Sequence, residues 1–401
     1  MMEQLSLLIV MVAALIIPLV MARFKISSVP TAVAEIVTGI VLGKSLFNIV
    51  SPNATLNIMS TMGVIMLMFL SGMEINFDLF RKQPGAAPNP QSPVNLAGQA
   101  FGLVIATAAI LGIILNRIGL FSDIFLATIL FSTVALGVVI ATLKEKEILG
   151  RPAGQTILLT AVLGEVVPML ALTIYASING GNAGRLWLIV LLFLAAFFLL
   201  KRFKQPFIWF NKISKATTQL DIRLAFFLMF ILVTIAEQVG AENILGAFLA
   251  GMVMKLLEPT ENTQEKLTSI GYGFLIPFFF IMTGVRLNIK QLFANPRALA
   301  LIPILVACFI LAKLPTALVF RRRFSLRNSF AGGFLTVTTI TLVLPALQVA
   351  RNLHAITSTQ SDAFVLAAVI VCIIGPIVFN SVYKLDKSDL IKQRVVILGA
   401  N

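Results

Sequence analysis

Long apolar runs recur along the whole chain, and they limit its possible fold more than any other feature of the sequence. Each is roughly 18 to 25 residues long, the length that an α-helix needs to cross a bilayer. Of the 401 residues, 58% are hydrophobic and only 12% are charged, whereas a soluble domain carries about 25% charged residues. The sequence therefore predicts an all-α, polytopic membrane protein.

The apolar runs and the charges between them predict a topology. We predict thirteen spans, at approximately 4–22, 29–47, 56–74, 94–115, 122–143, 154–178, 185–201, 221–239, 242–257, 271–286, 298–320, 328–350 and 362–383. Lys and Arg are concentrated in every second loop, as at Arg23 and Lys144, which places the N-terminus outside and the C-terminus in the cytoplasm of a cell membrane. Clusters of this kind suit anionic membrane lipid, and they argue against a nucleic-acid partner in spite of the net charge of +14.

Two pairs of segments resemble each other at equal spacing. FLSGMEIN at 69–76 aligns with IMTGVRLN at 281–288, which pairs Gly72 with Gly284. AEIVTGIVLG at 34–43 aligns more weakly with GAFLAGMVM at 246–254, and 33 residues separate Gly39 from Gly72 as they do Gly251 from Gly284. The third and tenth spans run in opposite directions, so we predict inverted repeats, which are typical of secondary transporters. Channels are also built by duplication, so the repeat alone does not decide between the two classes.

One carboxylate lies deep inside a predicted span. Glu165 stands near the middle of GQTILLTAVLGEVVPMLAL at 154–172, where a charge costs about 2.5–3.5 kcal/mol. Lys313 is the only lysine well inside an apolar run. We predict that Glu165 binds a monovalent cation or a proton in turn, with Lys313 as its countercharge or competitor. The alternative is a buried salt bridge between the two that fixes helix packing. Pro168 removes a backbone hydrogen bond and should free a carbonyl close to Glu165.

Hydroxyl side chains supply further candidate ligands. FSTVALG at 131–137 and TVTTITLVLP at 336–345 lie in the fifth and twelfth spans, which are equivalent in the predicted repeat. Alkali cations prefer oxygen ligands, so Ser132, Thr133, Thr338 and Thr339 are predicted to bind the ion. Each hydroxyl could instead bond its own helix backbone. The remaining acidic residues near segment ends are interpreted as interfacial: Glu35, Glu74, Asp78, Asp123, Glu237 and Asp362.

The chain resembles the monovalent cation:proton antiporter-2 family, and especially its Kef-type potassium efflux branch. The resemblance spans nearly the whole chain and includes PTAVAEIVTGIVLG, MLMFLSGMEIN, LFSTVALGVVIATLKE, the stretch around Glu165, and FLIPFFFIMTGVRLNI. It implies a homodimer of thirteen-helix subunits with the sodium/proton antiporter-like fold. A mobile core would comprise about 56–178 and 271–383, dimerisation helices would lie among the rest, and the fifth and twelfth helices would break and cross at the ion site.

The resemblance also implies roles for single residues. Glu165 stands where relatives carry the acidic ion-binding residue, and Lys313 resembles the lysine of their eleventh helix. The family usually has Asp where this chain has Glu165, preceded by Gln, Asn or Asp where it has Gly164. A single acidic residue resembles the electroneutral members. After the membrane domain (1–383), the tail (384–401) contains VVILGAN, which resembles the start of a nucleotide-binding regulatory domain; no cofactor is predicted for the sequence given.

The function predicted from the sequence is exchange of K⁺ or Na⁺ for H⁺ by an elevator movement of the core. Two alternatives share the fold: a ligand-gated cation efflux channel, and a sensor that transports nothing. An enzyme is not expected, because no nucleophile stands with a base and the only histidine, His354, lies in a predicted external loop.

Overall fold

The computed structural model describes residues 2–24, 29–74, 92–180, 218–238, 243–294 and 296–384, and these residues form helices joined by short connections. Their bounds are α1 Met2–Arg23, α2 Thr31–Leu42, α3 Ala54–Met73, α4 Pro93–Arg117, α5 Ile124–Ser132, α6 Leu136–Glu145, α7 Pro152–Asn179, α8 Leu220–Gln238, α9 Asn243–Leu256, α10 Glu261–Ile270, α11 Ile276–Arg286, α12 Ile289–Ala294, α13 Pro296–Lys313, α14 Thr316–Phe320, α15 Leu326–Leu335, α16 Ile340–Asn352 and α17 Ser358–Val382. A π-helical turn, Gly271–Leu275, joins α10 to α11.

Nine helical stretches of the described residues are long and apolar enough to cross a membrane, and α2 and α9 are shorter apolar helices. Every predicted span except the seventh overlaps a helix of the structure. The seventh span, the loop at 84–91, the residues around Asn76 and the tail from 385 lie outside the described residues. The count of thirteen and the division into core and dimerisation helices therefore stay predictions.

Two predicted spans are interrupted. The fifth contains α5 and α6 with extended backbone at Thr133 and Ala135 between them. The twelfth contains α15 and α16 with the residues from Thr336 to Thr339 between them. The structure thus confirms the two broken helices.

The glycines that align in the sequence pack against each other in reciprocal pairs. α2 meets α11 at Gly39 and Gly284, and α3 meets α9 at Gly72 and Gly251. A Cβ atom added to Gly284 would lie 2.9 Å from the carbonyl carbon of Gly39, and one added to Gly251 would lie 3.1 Å from Cα of Gly72. Backbones approach so closely only where both residues are small.

The two contacts also agree in register. Each glycine faces the carbonyl oxygen of the residue three positions before its partner glycine. Gly39 faces Ile281 and Gly284 faces Ile36, while Gly72 faces Phe248 and Gly251 faces Phe69. The α2–α11 contact and the α9–α3 contact are thus the same arrangement made twice. This is the relation that the aligned segments would have in an inverted repeat, and it supports that prediction.

Aromatic packing holds the broken helix α5 against its neighbours. The ring of Phe131 lies 5.2 Å from that of Phe309 on α13 and 5.8 Å from that of Phe364 on α17, measured between centroids. All three side chains are fully buried. The pair with Phe309 is edge-on and the pair with Phe364 is tilted, and aromatic pairs at such distances are stabilising. The end of α5 is therefore fixed at the base of the region where the helices break.

Candidate ion-binding site

The two helix interruptions meet and hydrogen-bond to each other. The backbone amide of Ala135 donates to the carbonyl oxygen of Thr338 at 2.8 Å, and the hydroxyls of Thr133 and Thr339 are hydrogen-bonded across the crossing. The amide of Thr339 donates to Sγ of the buried Cys372 at 3.3 Å. Backbone groups that a continuous helix would have used internally are thus satisfied by the other interrupted helix or by α17, as the interior of a membrane protein requires.

The predicted hydroxyl ligands lie together at this crossing, and three of the four donate their hydrogens to the backbone of the preceding turn. Ser132 donates to the carbonyl of Ile129 at 2.9 Å and Thr338 to that of Leu335 at 2.9 Å. Thr133 donates to Leu130 in the same way, at 2.8 Å. The local alternative considered for these residues therefore describes their hydrogens. These hydrogen bonds do not exclude cation binding, because a hydroxyl that donates its hydrogen can still offer an oxygen lone pair to a cation.

Gly164 and Pro168 explain how α7 approaches the crossing. Pro168 cannot donate to the carbonyl of Gly164 four residues before it. That carbonyl instead accepts a hydrogen bond from the amide of Val134, at 2.9 Å. The predicted released carbonyl exists, but it is bound by the broken helix and is not left free. A Cβ atom at position 164 would collide with the side chain of Val134, so this contact accounts for the glycine beside Glu165.

Glu165 lies at the crossing with no exposed surface. Its Oε2 accepts the amide of Leu136, the first residue of α6, at 3.1 Å. The positive end of the α6 dipole therefore faces the carboxylate and favours its charge. Its Oε1 is buried and has no hydrogen-bond partner among the described residues. Ser71 and Thr341 lie beside the carboxylate, and the hydroxyl of Thr341 is likewise unpaired within the described chain.

Lys313 does not pair with Glu165. Both residues belong to the described chain, yet no ion pair joins them. The Lys313 ammonium donates to the carbonyl of Val337 at 3.3 Å and lies 4.9 Å from the ring centroid of Phe309. Val337 follows the C-terminal end of α15, where a cation is favourable. The two residues therefore form no direct ion pair: the carboxylate is held at the start of one half-helix and the ammonium at the end of another. The role of Lys313 as a competitor for the site stays a prediction.

A large cavity leads from one membrane face toward Glu165. Its volume is about 860 Å³, and its lining runs from Lys144 at the end of α6 to Thr341, beside the carboxylate. A second cavity, of about 240 Å³, opens at the other ends of the helices, between Arg286 and Arg351, and reaches Leu344. Along α16 the two cavities are separated by the single turn from Thr341 to Leu344.

Glu74, which its place near the end of an apolar segment indicated to be interfacial, is a further candidate functional residue. It caps α3 and lines the larger cavity. Its Oε2 is buried without a hydrogen-bond partner in the described chain, and its charge acts on that of Glu165. One signal was available: Glu74 follows Ser71 by three residues, so the two share a helix face. Ser71 and Thr341 were also missed, because their position beside Glu165 depends on how the helices pack.

Comparison with known proteins shows the family to which the chain belongs. The family described as sodium/hydrogen exchanger, transmembrane, matches residues 10–384. The chain is 38% identical over 407 aligned residues to the putative Na⁺/H⁺ antiporter YjbQ of Bacillus subtilis, covering 99% of this chain and 66% of that protein. It is 27% identical to the probable Na⁺/H⁺ antiporter 3 of Methanocaldococcus jannaschii, over 92% of this chain and 93% of that one.

The fold is shared with a solved antiporter. The structure of the sodium proton antiporter MjNhaP1 from M. jannaschii superposes with a TM-score of 0.59 at 12% identity, covering 95% of this chain and 97% of that one. These relatives are named as transporters of Na⁺ and H⁺, which points away from the Kef-type branch predicted from the sequence and from enzymes. The chain belongs to the transmembrane sodium/hydrogen exchanger family.

Proposed function

We propose that this protein exchanges Na⁺ for H⁺ across the membrane, with Glu165 binding each ion in turn. The observation that carries the proposal is the state of the Glu165 carboxylate. One of its oxygens is held by a helix N-terminus, and the other is buried without a partner in the described chain, close to a cavity that opens at one face. A buried carboxylate in that state needs either a proton or a cation to complete its contacts.

Competition between the two ions follows from the arrangement. A proton on Oε1 neutralises the Glu165 carboxylate, whereas a cation binds there only while the carboxylate is negatively charged. Occupancy by one therefore excludes the other, which is the coupling that an antiporter requires. Hydroxyl oxygens of Ser71 and Thr341 lie beside the same carboxylate, and those of Thr133 and Thr339 meet at the crossing. Oxygen donors of this kind suit an alkali cation, and K⁺ is a second candidate cargo.

Alternating access is the mechanism that we propose for the exchange. The repeated glycine contacts support two inverted units, and inverted units exchange roles when one face closes and the other opens. An elevator-like movement of the core would carry Glu165 between the larger and the smaller cavity. We also propose a homodimer within membrane lipid, as the resemblance implies.

A carrier fits the cavities better than a channel does. The two cavities end one helical turn apart on α16 and are not joined. A channel in its conducting state needs a continuous path, whereas a carrier is closed on one side at every stage. A sensor without transport stays a third possibility, and the flux experiment below distinguishes it.

Proteoliposomes test the proposal. Vesicles loaded with Na⁺ and diluted into Na⁺-free buffer should acidify inside, because each cation that leaves admits a proton. Vesicles with choline in place of Na⁺ should not, and K⁺, Li⁺ and Rb⁺ run in parallel rank the cargo. Proton movement that is independent of the cation would overturn exchange, and unitary currents in a planar bilayer would identify a channel.

Glu74 gives a prediction about cation entry. Glu74→Gln should raise the KM for Na⁺ at the face of the larger cavity about 3- to 10-fold, because a charge that attracts the cation is lost. Exchange itself should continue, because Glu165 is intact. Glu147 lies on an exposed turn and does not line the cavity, so Glu147→Gln is the matched control and should leave KM unchanged.

Glu74→Gln also tests the electroneutral exchange that the resemblance implies. If one cation exchanges for one proton, imposing a membrane potential with valinomycin and K⁺ should change the rate of Na⁺/H⁺ exchange neither in the wild type nor in Glu74→Gln. A potential-dependent wild-type rate that becomes independent in the variant would show instead that Glu74 carries a second proton.

A further inference from the structure

The smaller cavity is positively charged at its mouth, and this charge has no role in the exchange described so far. Its charged lining residues are Arg286, Arg351 and Asp362, which together carry one net positive charge. We propose that Arg286 and Arg351 lower the affinity for a cation arriving from this face, so that the exchanger binds Na⁺ more weakly here than at the other face. This inference rests on the proposed function and adds a residue-level cause for a preferred direction.

The two arginines come from different parts of the fold and face the same space. Arg286 ends α11, is exposed, and donates to Oδ1 of Asn57 at 2.8 Å. Arg351 lies in the last turn of α16, is exposed, and donates to Oγ of Ser358 at 3.5 Å. Their charges act on each other unfavourably. Since both side chains stand at a mouth that an entering cation has to pass, the repulsion extends to that cation.

Asp362 offsets only part of this charge. It is 7% exposed, and its Oδ2 accepts the amide of Asn288 at 3.2 Å. Arg351 also acts on it favourably. One carboxylate that is already engaged therefore stands against two exposed guanidinium groups.

The larger cavity has the opposite balance. Its charged lining residues are Glu35, Glu74 and Lys144, which together carry one net negative charge when ionised. Where both carboxylates are ionised, a cation thus enters a negative cavity from one face and a positive mouth from the other. By the positive-inside pattern the negative cavity is the cytoplasmic one, so the difference favours loading inside and release outside. In a hydrated mouth at a distance of about 10 Å, one unit charge changes the local cation concentration about two- to fourfold.

A purely structural role for the arginines makes a different prediction. Both stand at helix C-termini, where a cation stabilises the helix end. Loss of that role would lower stability and the maximal rate without regard to the side on which Na⁺ is added. An electrostatic role changes the KM at one face only, and it weakens as salt screens the charge.

The test compares right-side-out with inside-out membrane vesicles that contain the full chain. In Arg286→Gln/Arg351→Gln, the external KM for Na⁺ should fall about four- to sixteenfold at low ionic strength, and the KM at the opposite face should stay unchanged. The external difference should shrink in 0.15 M choline chloride. Arg117 ends α4 on the same predicted face and lines neither cavity, so Arg117→Gln is the matched control and should leave both values unchanged.

Two further variants keep the inference falsifiable. Arg286→Lys/Arg351→Lys retains the charges and should keep the wild-type KM, and Asp362→Asn should raise the external KM. Equal changes at both faces, no change at either, or the same change in Arg117→Gln would overturn the inference. If the wild type still exchanges Na⁺ for H⁺ in those cases, the proposed function stands. If the wild type shows no exchange, the proposed function itself is wrong.

Discussion

Replacing Glu165 with glutamine is expected to abolish Na⁺-driven proton movement while the protein stays folded. The amide has nearly the same size, and its oxygen can still accept the Leu136 amide that now donates to Oε2. It carries no negative charge for a cation and no proton to release. Loss of one charge-assisted contact of about 3 kcal/mol weakens cation binding roughly 100-fold, and loss of proton exchange removes coupling altogether.

The measurement is proton flux in proteoliposomes with equal protein content for each variant. Glu165→Asp restores the carboxylate on a shorter side chain and should recover part of the flux. Glu147 lies on an exposed turn after α6, so Glu147→Gln is the matched control and should behave as the wild type. Exchange at the wild-type rate in Glu165→Gln would remove Glu165 from the mechanism.

Features that depend on a single segment were predicted correctly from the sequence. Apolar length predicted the spans that lie within the described residues. Helical spacing indicated that Glu165 lies far from both ends of α7. Each of these follows from the energetics of one helix in lipid, which does not require knowledge of its neighbours.

Features that depend on contacts between distant segments of the chain were missed or were predicted only in part. Pro168 implies an unpaired carbonyl, but the identity of its donor, Val134, depends on how α7 crosses the break after α5. Lys313 and Glu165 looked like a pair because both are buried charges. In the structure each is compensated by a different helix end, and dipoles at helix breaks cannot be read from charge alone.

Alanine substitutions at the glycine contacts are expected to reduce the stability of the protein strongly. Gly284→Ala and Gly251→Ala should each destabilise the protein by about 1–3 kcal/mol or more, the usual cost of overpacking. A methyl group at position 284 would lie 2.7 Å from the amide nitrogen of Ile40, and one at 251 would meet the carbonyl of Phe69. Both obstacles are backbone atoms of a packed helix, so neither can turn aside as a side chain would.

Gly98 on α4 supplies the matched control, because a methyl group added there would meet nothing within 4 Å. Gly98→Ala should keep or slightly raise stability, since alanine favours helix by up to about 1 kcal/mol over glycine. Thermal unfolding followed by size-exclusion chromatography in detergent ranks the variants.

Pairs of substitutions separate a specific contact from general sensitivity. Gly39→Ala and Gly284→Ala both enlarge residues of the same contact. The double variant should therefore lose less stability than the sum of the two single variants. Gly251→Ala with Gly284→Ala disturbs two separate contacts, so those costs should add. If Gly284→Ala were as stable as Gly98→Ala, the close approach of α2 and α11 would be wrong, and the support that it gives to an inverted repeat would be lost.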